Sequence, residues 1–338
     1  MDVDVIVVGG GLAGSTIATV LAQRGCRVLV LEREMKFKDR VRGENMLPWG
    51  AATARRLGVI DDLVAAGGHA VPFFNTYAMG ARMEHRPLPE TTPTREGCLN
   101  MYHPDLQETL LARAIGSGAD VRRGVSVQGL SENGGRWTTT FVDNGESHSR
   151  TARLVIGADG RFSAMRNWGG FAVKRDPENL RIAGTIVQGT RVPDDGVHLC
   201  LGPGIATFVA PLGNNRARVY FIYVGAMGDR KLSGKDKVPA FLEACRATGA
   251  PGEWFDEVEV TARRRGGQPD GLFEYLALGH RHRGDPAAVR ARQDFRADGR
   301  CRARHQSLQE GDDGRRYRQG RAGQGRPEDH RSSGGCRG

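Results

Sequence analysis

The 338-residue sequence predicts an α/β fold, in which a three-layer domain with a mostly parallel sheet has an antiparallel β-sheet region inserted into it. Two observations predict this fold. Residues 1–32 alternate strand, helix and strand signals, which is typical of a parallel sheet covered by helices. Residues 170–262 contain short β-branched or aromatic runs separated by Gly, Pro and Asn, as antiparallel strands do. We expect the layered domain at 1–75 and 97–169, and the β-rich region at 76–96 and 170–262.

The amino-terminal segment predicts a strand, a helix and a second strand in succession. Val5–Val8 is a continuous apolar run that suits a buried parallel strand. Ala13–Arg24 has its apolar residues at helical spacing, and Gly25 follows where that helix should end. Val28–Leu31 is the next apolar run, and it predicts the second buried strand.

A glycine-rich turn joins the first strand to the helix. Within Gly9-x-Gly11-x-x-Gly14, the first glycine permits a tight turn, the second lets backbone approach a pyrophosphate, and the third allows close helix packing. The helix N terminus, around Ala13, offers N–H groups and a positive dipole to the anion. Glu32 ends the second strand, where its carboxylate can accept both ribose hydroxyls and would repel a 2′-phosphate. These features predict a Rossmann-like dinucleotide-binding domain, which NAD and FAD both fit.

A pair of arginines precedes Gly43-Glu44. Arg40 and Arg42 are two residues apart in an otherwise extended stretch, so their side chains point to one side. Such a pair suits a diphosphate or the edge of a flavin. The alternative is a solvated charged loop before the helix predicted at Ala51–Leu57.

A third motif follows the strand predicted at Leu154–Ile156. It consists of Gly157-Ala158-Asp159-Gly160, with Ser163 and Arg166 placed on a following helix. An ordinary Asp-Gly turn without a ligand is the alternative interpretation.

Together these motifs resemble those of FAD-dependent monooxygenases of the single-component aromatic hydroxylase type, and of the wider group with flavin halogenases and geranylgeranyl reductases. The resemblance covers residues 1–262, and the segment from Gly157 to Arg166 is its most specific part. It implies FAD contacts at the positions that match the family: Gly9, Gly11, Ala13 and Gly14 at the pyrophosphate, Glu32 and Arg33 at the adenosine ribose, Arg42 on the flavin side, Gln107 near FAD, the backbone of Val127 near the adenine, and Asp159 and Gly160 in a loop that touches FAD and the path of the nicotinamide donor.

The resemblance also implies an activity. NADH or NADPH would reduce the FAD, and the reduced flavin would react with O2 to a C4a-hydroperoxide that hydroxylates or epoxidises a small organic substrate, aromatic or polyketide-like. Because the cofactor supplies this chemistry, the sequence assigns no catalytic residue. A second interpretation, a reductase of the geranylgeranyl reductase type, stays open because such an enzyme would use the same FAD-binding motifs. Candidates for substrate contact by residue type alone are Tyr102, His103, His198, Tyr220 and Tyr223.

The net charge of +10 is concentrated at the carboxyl end. Residues 263–338 hold 18 Arg, no Lys and 10 acidic residues, a net charge of +8, which leaves +2 for residues 1–262. The segment is poor in apolar residues, so we expect it to be disordered. It also lacks the family's Gly-Asp-Ala and Pro-x-x-Gly-x-Gly motif, and Gly284-Asp285 is a chance match.

Three interpretations of this segment stay open: a nucleic-acid-binding arm, a neutral tail, or the product of a reading-frame shift near Glu259–Arg263. The frame shift is the favoured one, and nucleic acid is not the expected partner. The alternative of another class is an impaired, non-catalytic flavin-fold protein whose basic tail contacts nucleic acid.

Cysteine usage and hydropathy indicate the cellular location of the protein. Six scattered cysteines form neither a close ligand pair nor a disulfide framework, and the first apolar run lacks a basic segment before it. We expect a cytoplasmic protein with reduced thiols, no membrane span and no metal site.

Overall fold

The computed structural model of the chain describes residues 3–40, 43–174, 180–224, 232, 237–260 and 273–277. These residues form one six-stranded sheet, one eight-stranded sheet, one three-stranded sheet and seven α-helices. The α/β fold class that the sequence predicts is thereby confirmed.

The strands, in chain order, are β1 Val3–Val8, β2 Val28–Glu32, β3 Asn45–Met46, β4 His69–Val71, β5 Phe73–Ala78, β6 Ala81–Pro87, β7 Cys98–Asn100, β8 Asp120–Arg123, β9 Ser126–Asn133, β10 Arg136–Asp143, β11 Glu146–Gly157, β12 Leu180–Gln188, β13 Gly196–Gly202, β14 Ile205–Pro211, β15 Arg216–Val224, β16 Glu259–Val260 and β17 Phe273–Ala277. The helices are α1 Leu12–Gln23, α2 Pro48–Arg56, α3 Ile60–Ala65, α4 Leu88–Thr91, α5 His103–Gly116, α6 Ala164–Trp168 and α7 Val238–Arg246, with a 3-10 helix at Gly252–Phe255.

The six-stranded sheet positions the candidate site. Its strand order is β8-β2-β1-β11-β10-β9, and its first four strands run parallel. The carboxyl ends of β1, β2 and β11 therefore meet at one edge, where the glycine turn, Glu32 and Asp159 follow. The topology thus brings three motifs that are distant in the sequence to one edge of the sheet. In open α/β sheets, this is the edge at which ligands bind.

Side chains of β1 alternate between two apolar clusters. Val5 and Val7 pack with Ala18 of α1 and Leu111 of α5. Ile6 and Val8 face the opposite side of the sheet, in a cluster that includes Phe141. The strand is thus apolar on both faces, because both faces of the sheet are covered.

The eight-stranded sheet has the order β16-β12-β15-β14-β13-β5-β6, and β17 pairs with β12. Its strands β12 to β15 pair antiparallel, as the sequence predicts for this region. One face packs on α7: Val219 and Phe221 of β15 lie in a cluster with Phe241 and Cys245. The side chains that alternate with them, Arg218 among them, face the other way.

Element boundaries differ slightly from those the sequence predicts. The helix predicted at Ala51–Leu57 begins at Pro48, because proline fits the first turn of a helix, where an N–H donor is not needed. Of the carboxyl-terminal segment, only β17 is described, so the predicted disorder of the rest, the predicted frame shift and the Gly284-Asp285 pair lie outside the described residues. No helix in the described part of the chain is long and apolar enough to cross a membrane.

Candidate functional site

The glycine turn after β1 has two glycines that packing requires. Gly9 has a φ of +100°, and a methyl group added to it would lie 2.4 Å from the carbonyl oxygen of Ala158. A methyl group on Gly14 would lie 1.8 Å from the carbonyl oxygen of Gly9. On Gly11 it would meet only Gln107 Nε2, at 3.6 Å. Gly11 is therefore not required for packing within the described residues, which fits a position where a ligand approaches the backbone.

The N terminus of α1 is arranged to receive an anion. Gly11 is its N-cap residue and supplies no side-chain acceptor, so the first N–H groups of the helix, near the exposed Ala13, have no side-chain cap. The Ser15 hydroxyl donates to the carbonyl oxygens of Gly10 and Gly11, at 2.7 and 2.8 Å. These carbonyls are thereby engaged by the helix, and the free N–H groups suit a pyrophosphate.

Glu32 lies at the carboxyl end of β2 and is buried. Its Oε2 accepts the N–H of Gly10 at 2.6 Å, and its Oε1 accepts the N–H of Glu34 at 2.7 Å. Each carboxylate oxygen has a further lone pair, so Glu32 can hold the turn and accept a ribose hydroxyl at the same time.

Arg33 and Arg40 lie beside Glu34. The Arg40 guanidinium donates to Glu34 Oε1 at 3.1 Å, and the 75% exposed Arg33 side chain lies 3.9 Å from the same oxygen. Burial opposes ionisation of Glu34, but the Lys38 ammonium and the two guanidinium groups lower its pKa below the ordinary value. Arg42 lies outside the described residues.

Helix α5 links the glycine turn to Gly43. His103, Gln107 and Leu111 are four residues apart and therefore share one face of the helix. His103 Nδ1 lies 3.1 Å from the Gly43 carbonyl oxygen, whereas Gln107 faces Gly11 as described above. From His103 to Leu111, eight residues further along the chain, the helix rises about 12 Å along its axis. This face of α5 therefore spans the distance between the glycine turn and Gly43.

The third motif closes the glycine turn from the side of β11. The Ala158 N–H donates to the Val8 carbonyl oxygen at 2.7 Å, and Asp159 follows it. Asp159 Oδ2 accepts the Met165 N–H at 3.1 Å, and its buried Oδ1 has no hydrogen-bond partner among the described residues. Gly160 has a φ of +86°, which favours glycine there. A buried acceptor without a partner beside the turn fits a site completed by a ligand.

Val127 lies on β9 opposite Phe141, and its partly buried side chain packs in the cluster around Ile6 and Val8. Its predicted backbone contact with the adenine stays a prediction.

A buried ionic cluster lies beside Gly43, and the sequence did not single it out. Arg218 Nη2 lies 2.5 Å from Asp39 Oδ1 and 2.7 Å from Glu44 Oε1. The side chains of Arg218 and Glu44 are completely buried. The Tyr220 hydroxyl donates to Glu44 Oε2 and accepts the Glu44 N–H, whose nitrogen lies at 2.9 Å.

Burial determines the protonation of this cluster. It raises the pKa of Glu44, while the charge of Arg218 opposes that rise. It would lower the pKa of Arg218, but the negative charges of Glu44 and Asp39 raise that pKa above its ordinary value. Burial also raises the pKa of Tyr220 well above the ordinary value, so its hydroxyl stays protonated and can donate.

Of the candidates chosen by residue type, the structure places His103 and Tyr220 at the site, Tyr102 beside Ile186 and Leu212, and His198 and Tyr223 in the core. His198 is fully buried, its Nε2 lies 2.7 Å from the Pro193 carbonyl oxygen, and its ring meets Trp254 edge to face. Tyr223 is buried against Phe221, and Tyr102 packs in a small apolar cluster. The missed signal was Arg218 itself, a charged residue between apolar neighbours near the start of β15, which requires a partner when it is buried.

The model of the FAD binding domain family matches residues 2–244. The chain belongs to this family. Mouse squalene monooxygenase (Mus musculus) is 31% identical over 172 residues, which are 49% of this chain and 30% of that protein. The 3-amino-4-hydroxybenzoate 2-monooxygenase of Streptomyces cremeus is 29% identical over 269 residues, 76% of this chain and 63% of that protein. The structure of p-nitrophenol 4-monooxygenase from Pseudomonas putida superposes with a TM-score of 0.68 at 19% identity, covering 82% of this chain and 69% of the other.

The chain spans less than two thirds of the length of both curated relatives. The matched range, residues 2–244, nevertheless includes every segment of the candidate site from Gly9 to Gly160. The residues present fit an FAD in three respects. There is space at Gly11 beside Gln107, the uncapped start of α1 is polar, and Asp159 has a buried acceptor without a partner among the described residues. Glu32 has lone pairs left for a ribose hydroxyl.

Proposed function

We propose that this FAD-binding chain is an NAD(P)H-driven monooxygenase that hydroxylates or epoxidises a small organic substrate in the cytoplasm. The observation that supports this most is the path along α5, from the open Gly11 backbone to the His103 contact with Gly43. The monooxygenase names of both curated relatives support the reaction type. Three buried cysteines among the described residues, Cys98, Cys200 and Cys245, have free thiols and support the reducing location.

The face of the eight-stranded sheet that carries Tyr220 supports an apolar or aromatic substrate. Phe208 pairs with Tyr220 across the strands, and their ring centroids lie 6.0 Å apart. Ile186 and Leu212 are buried on the same side, in contact with Tyr102. A surface of this kind suits an aromatic ring or a hydrocarbon chain, and both kinds of molecule occur in the relatives' names.

The residues of this chain would bind, orient and shield the cofactor. When bound, FAD would supply hydride acceptance from NADH or NADPH and the activation of O2. The N–H groups at the start of α1 would bind its pyrophosphate, and Glu32 would orient its ribose. The apolar face around Phe208 and Ile186 would exclude water from the reacting centre.

The proposal is tested with the purified full chain after incubation with FAD. We expect flavin absorbance that stays with the protein on gel filtration, oxidation of NADH or NADPH, and O2 uptake that increases with an apolar or aromatic substrate. Colourless protein after reconstitution would overturn the proposal. Reduction of bound flavin without substrate-dependent O2 uptake would indicate a reductase of the geranylgeranyl reductase type.

A further inference from the structure

An open pocket of about 200 Å³ lies on the side of the chain formed by α2, α3, β4 and β7. Ten of its twelve lining residues are small or apolar, and the larger ones are Ile60, Val64, Val71, Pro72, Pro89 and Leu99. The other two are Arg55 and Glu96. The described residues that are predicted to bind FAD all lie elsewhere, so this pocket is separate from the candidate site.

Fixed backbone forms the walls of the pocket. Gly97 lies so close to β4 that a methyl group on it would be 2.4 Å from the Val71 carbonyl oxygen. The Leu88 N–H donates to the Pro72 carbonyl oxygen at 2.8 Å, which joins the two segments that carry Pro72 and Pro89. Each proline ring also fixes its own backbone φ. The pocket is therefore formed before a ligand arrives, and binding would require little rearrangement.

The apolar walls are open to solvent. Val64 is 47% exposed, and Ala70 is exposed on β4, an edge strand of the three-stranded sheet. An apolar cavity of about 150 Å³ in another protein binds benzene, so the volume here suits one ring or a short branched chain. A concave apolar surface with a few polar groups is typical of a ligand site.

A single ion pair supplies the polar groups of this pocket. Arg55 Nε donates to Glu96 Oε1 at 2.5 Å, and Arg55 Nη2 donates to Glu96 Oε2 at 3.1 Å. The hydrogen bond from Arg55 lowers the pKa of Glu96, and the carboxylates of Glu96 and, more weakly, Asp61 raise the pKa of Arg55. Both members of the pair are therefore charged at neutral pH. Arg55 Nη1 still offers donors to a ligand, and each Glu96 oxygen has a further lone pair.

These groups favour a hydroxyl over a charged group. A hydroxyl can donate to a Glu96 oxygen and accept from Arg55 Nη1 at the same time. A ligand carboxylate would be repelled by Glu96 and Asp61, and a ligand ammonium could not accept from Arg55 and would be repelled by it. Hydrogen bonds to charged partners are also the stronger ones.

We propose that this pocket binds a small, neutral, apolar molecule that carries one hydroxyl group. The apolar part would lie against Ile60, Val71 and Leu99, and the hydroxyl would bridge Arg55 and Glu96. The inference does not depend on the proposed function, because neither FAD binding nor catalysis takes part in it.

The site is tested by methyl NMR of the full chain during titration with p-cresol, first without FAD and then with it. We expect saturable shifts of the Ile60, Val64 and Leu99 methyl signals under both conditions. In Ala70→Leu these shifts should be lost, because the longer side chain fills the pocket from its open edge. Titration without saturable shifts of these signals in the wild type would overturn the site. Shifts confined to the opposite, proposed substrate face, at Ile186, would overturn it as well.

The ligand class is tested by comparing p-cresol with toluene, which lacks the hydroxyl, and with p-toluate, which has a carboxylate in its place. We expect p-toluate to bind the wild type with a Kd at least tenfold higher than that of p-cresol. In the double variant Arg55→Met with Glu96→Met, the ratio of the toluene Kd to the p-cresol Kd should fall at least tenfold, because both partners of the hydroxyl are removed together. Arg56→Met is the matched control, since Arg56 is the next residue of α2, is exposed and does not line the pocket, and the ratio should stay within twofold. An unchanged ratio in the double variant would show that the pocket selects by size alone and would overturn the proposed ligand class.

Discussion

The glycine turn makes a prediction that separates packing from ligand binding. In Gly14→Ala, the new methyl group would lie 1.8 Å from the Gly9 carbonyl oxygen, whereas such contacts are essentially never shorter than 3.0 Å. The start of α1 must therefore retreat from the turn by more than 1 Å. We expect this overpacking to cost about 1–3 kcal/mol of unfolding free energy. For a chain of this size the melting temperature should fall by roughly 2–10 °C.

The same retreat should weaken FAD binding strongly. The helix N–H groups that would bind the pyrophosphate move with α1, and a hydrogen bond to a charged group contributes about 1.5–3 kcal/mol. Loss of one or two such bonds corresponds to an increase in the Kd for FAD of roughly a hundredfold. Fluorescence titration and thermal unfolding of the ligand-free protein measure the two effects separately.

Gly11→Ala and Gly116→Ala are the controls for this prediction. A methyl group on Gly11 meets only Gln107 Nε2 at 3.6 Å, so ligand-free stability should be unchanged while FAD affinity falls. Gly116 lies at the end of α5 with open space around it, and alanine there should leave both quantities unchanged or raise stability by up to about 1 kcal/mol. The reasoning is refuted if Gly14→Ala binds FAD normally, or if Gly11→Ala lowers the melting temperature as much as Gly14→Ala does.

Three further predictions follow from buried groups. Glu32→Gln replaces an acceptor oxygen by an NH2 group, which leaves the N–H of Gly10 or of Glu34 unsatisfied, so the Kd for FAD should rise about tenfold in titrations; an unchanged Kd would contradict the assigned role. Burial lowers the pKa of His198, so its contribution to stability should be fully present above pH 6.5 and decline as the pH falls below that value, because the unfolded chain then binds the proton more tightly. Between pH 7.5 and 5.5, the melting temperature should decline less in His198→Gln than in the wild type, and equal declines would contradict this role of His198. Phe241→Ala empties a fully buried core position and should lower the unfolding free energy in urea by about 3–5 kcal/mol, whereas a loss below 1 kcal/mol would mean that the core is not centred there.

The glycine turn and the acidic residues around it could be predicted from the sequence because their structural requirements are local. Gly9, Gly11 and Gly14 follow an apolar strand directly, and the spacing alone determines which glycine turns, which packs and which stays open. Glu32 is likewise fixed by its place at the end of β2. The meeting of Asp159 with the glycine turn follows from the parallel pairing of β1 with β11.

The arginines were harder to place. Arg33 follows Glu32, but successive residues at a strand end point to opposite sides, and Arg33 therefore lies by Glu34 at the surface. The Arg218 cluster could not be predicted from spacing, since Tyr220 and Glu44 are 176 positions apart. Their contact depends on how the second sheet lies against the loop after β2, and local sequence does not encode that.

The central position of β1 has a consequence for the synthesis of the chain. Val3 pairs with Ala152 of β11, so one edge of β1 has no partner until most of the described fold has been translated. At about 5–20 residues per second, the interval is roughly 7–30 seconds. During that time an apolar strand edge is open to pairing with other chains. The FAD contacts predicted at Asp159 and Gly160 can likewise form only after residue 160 has left the ribosome, so this ligand would not protect the edge any earlier.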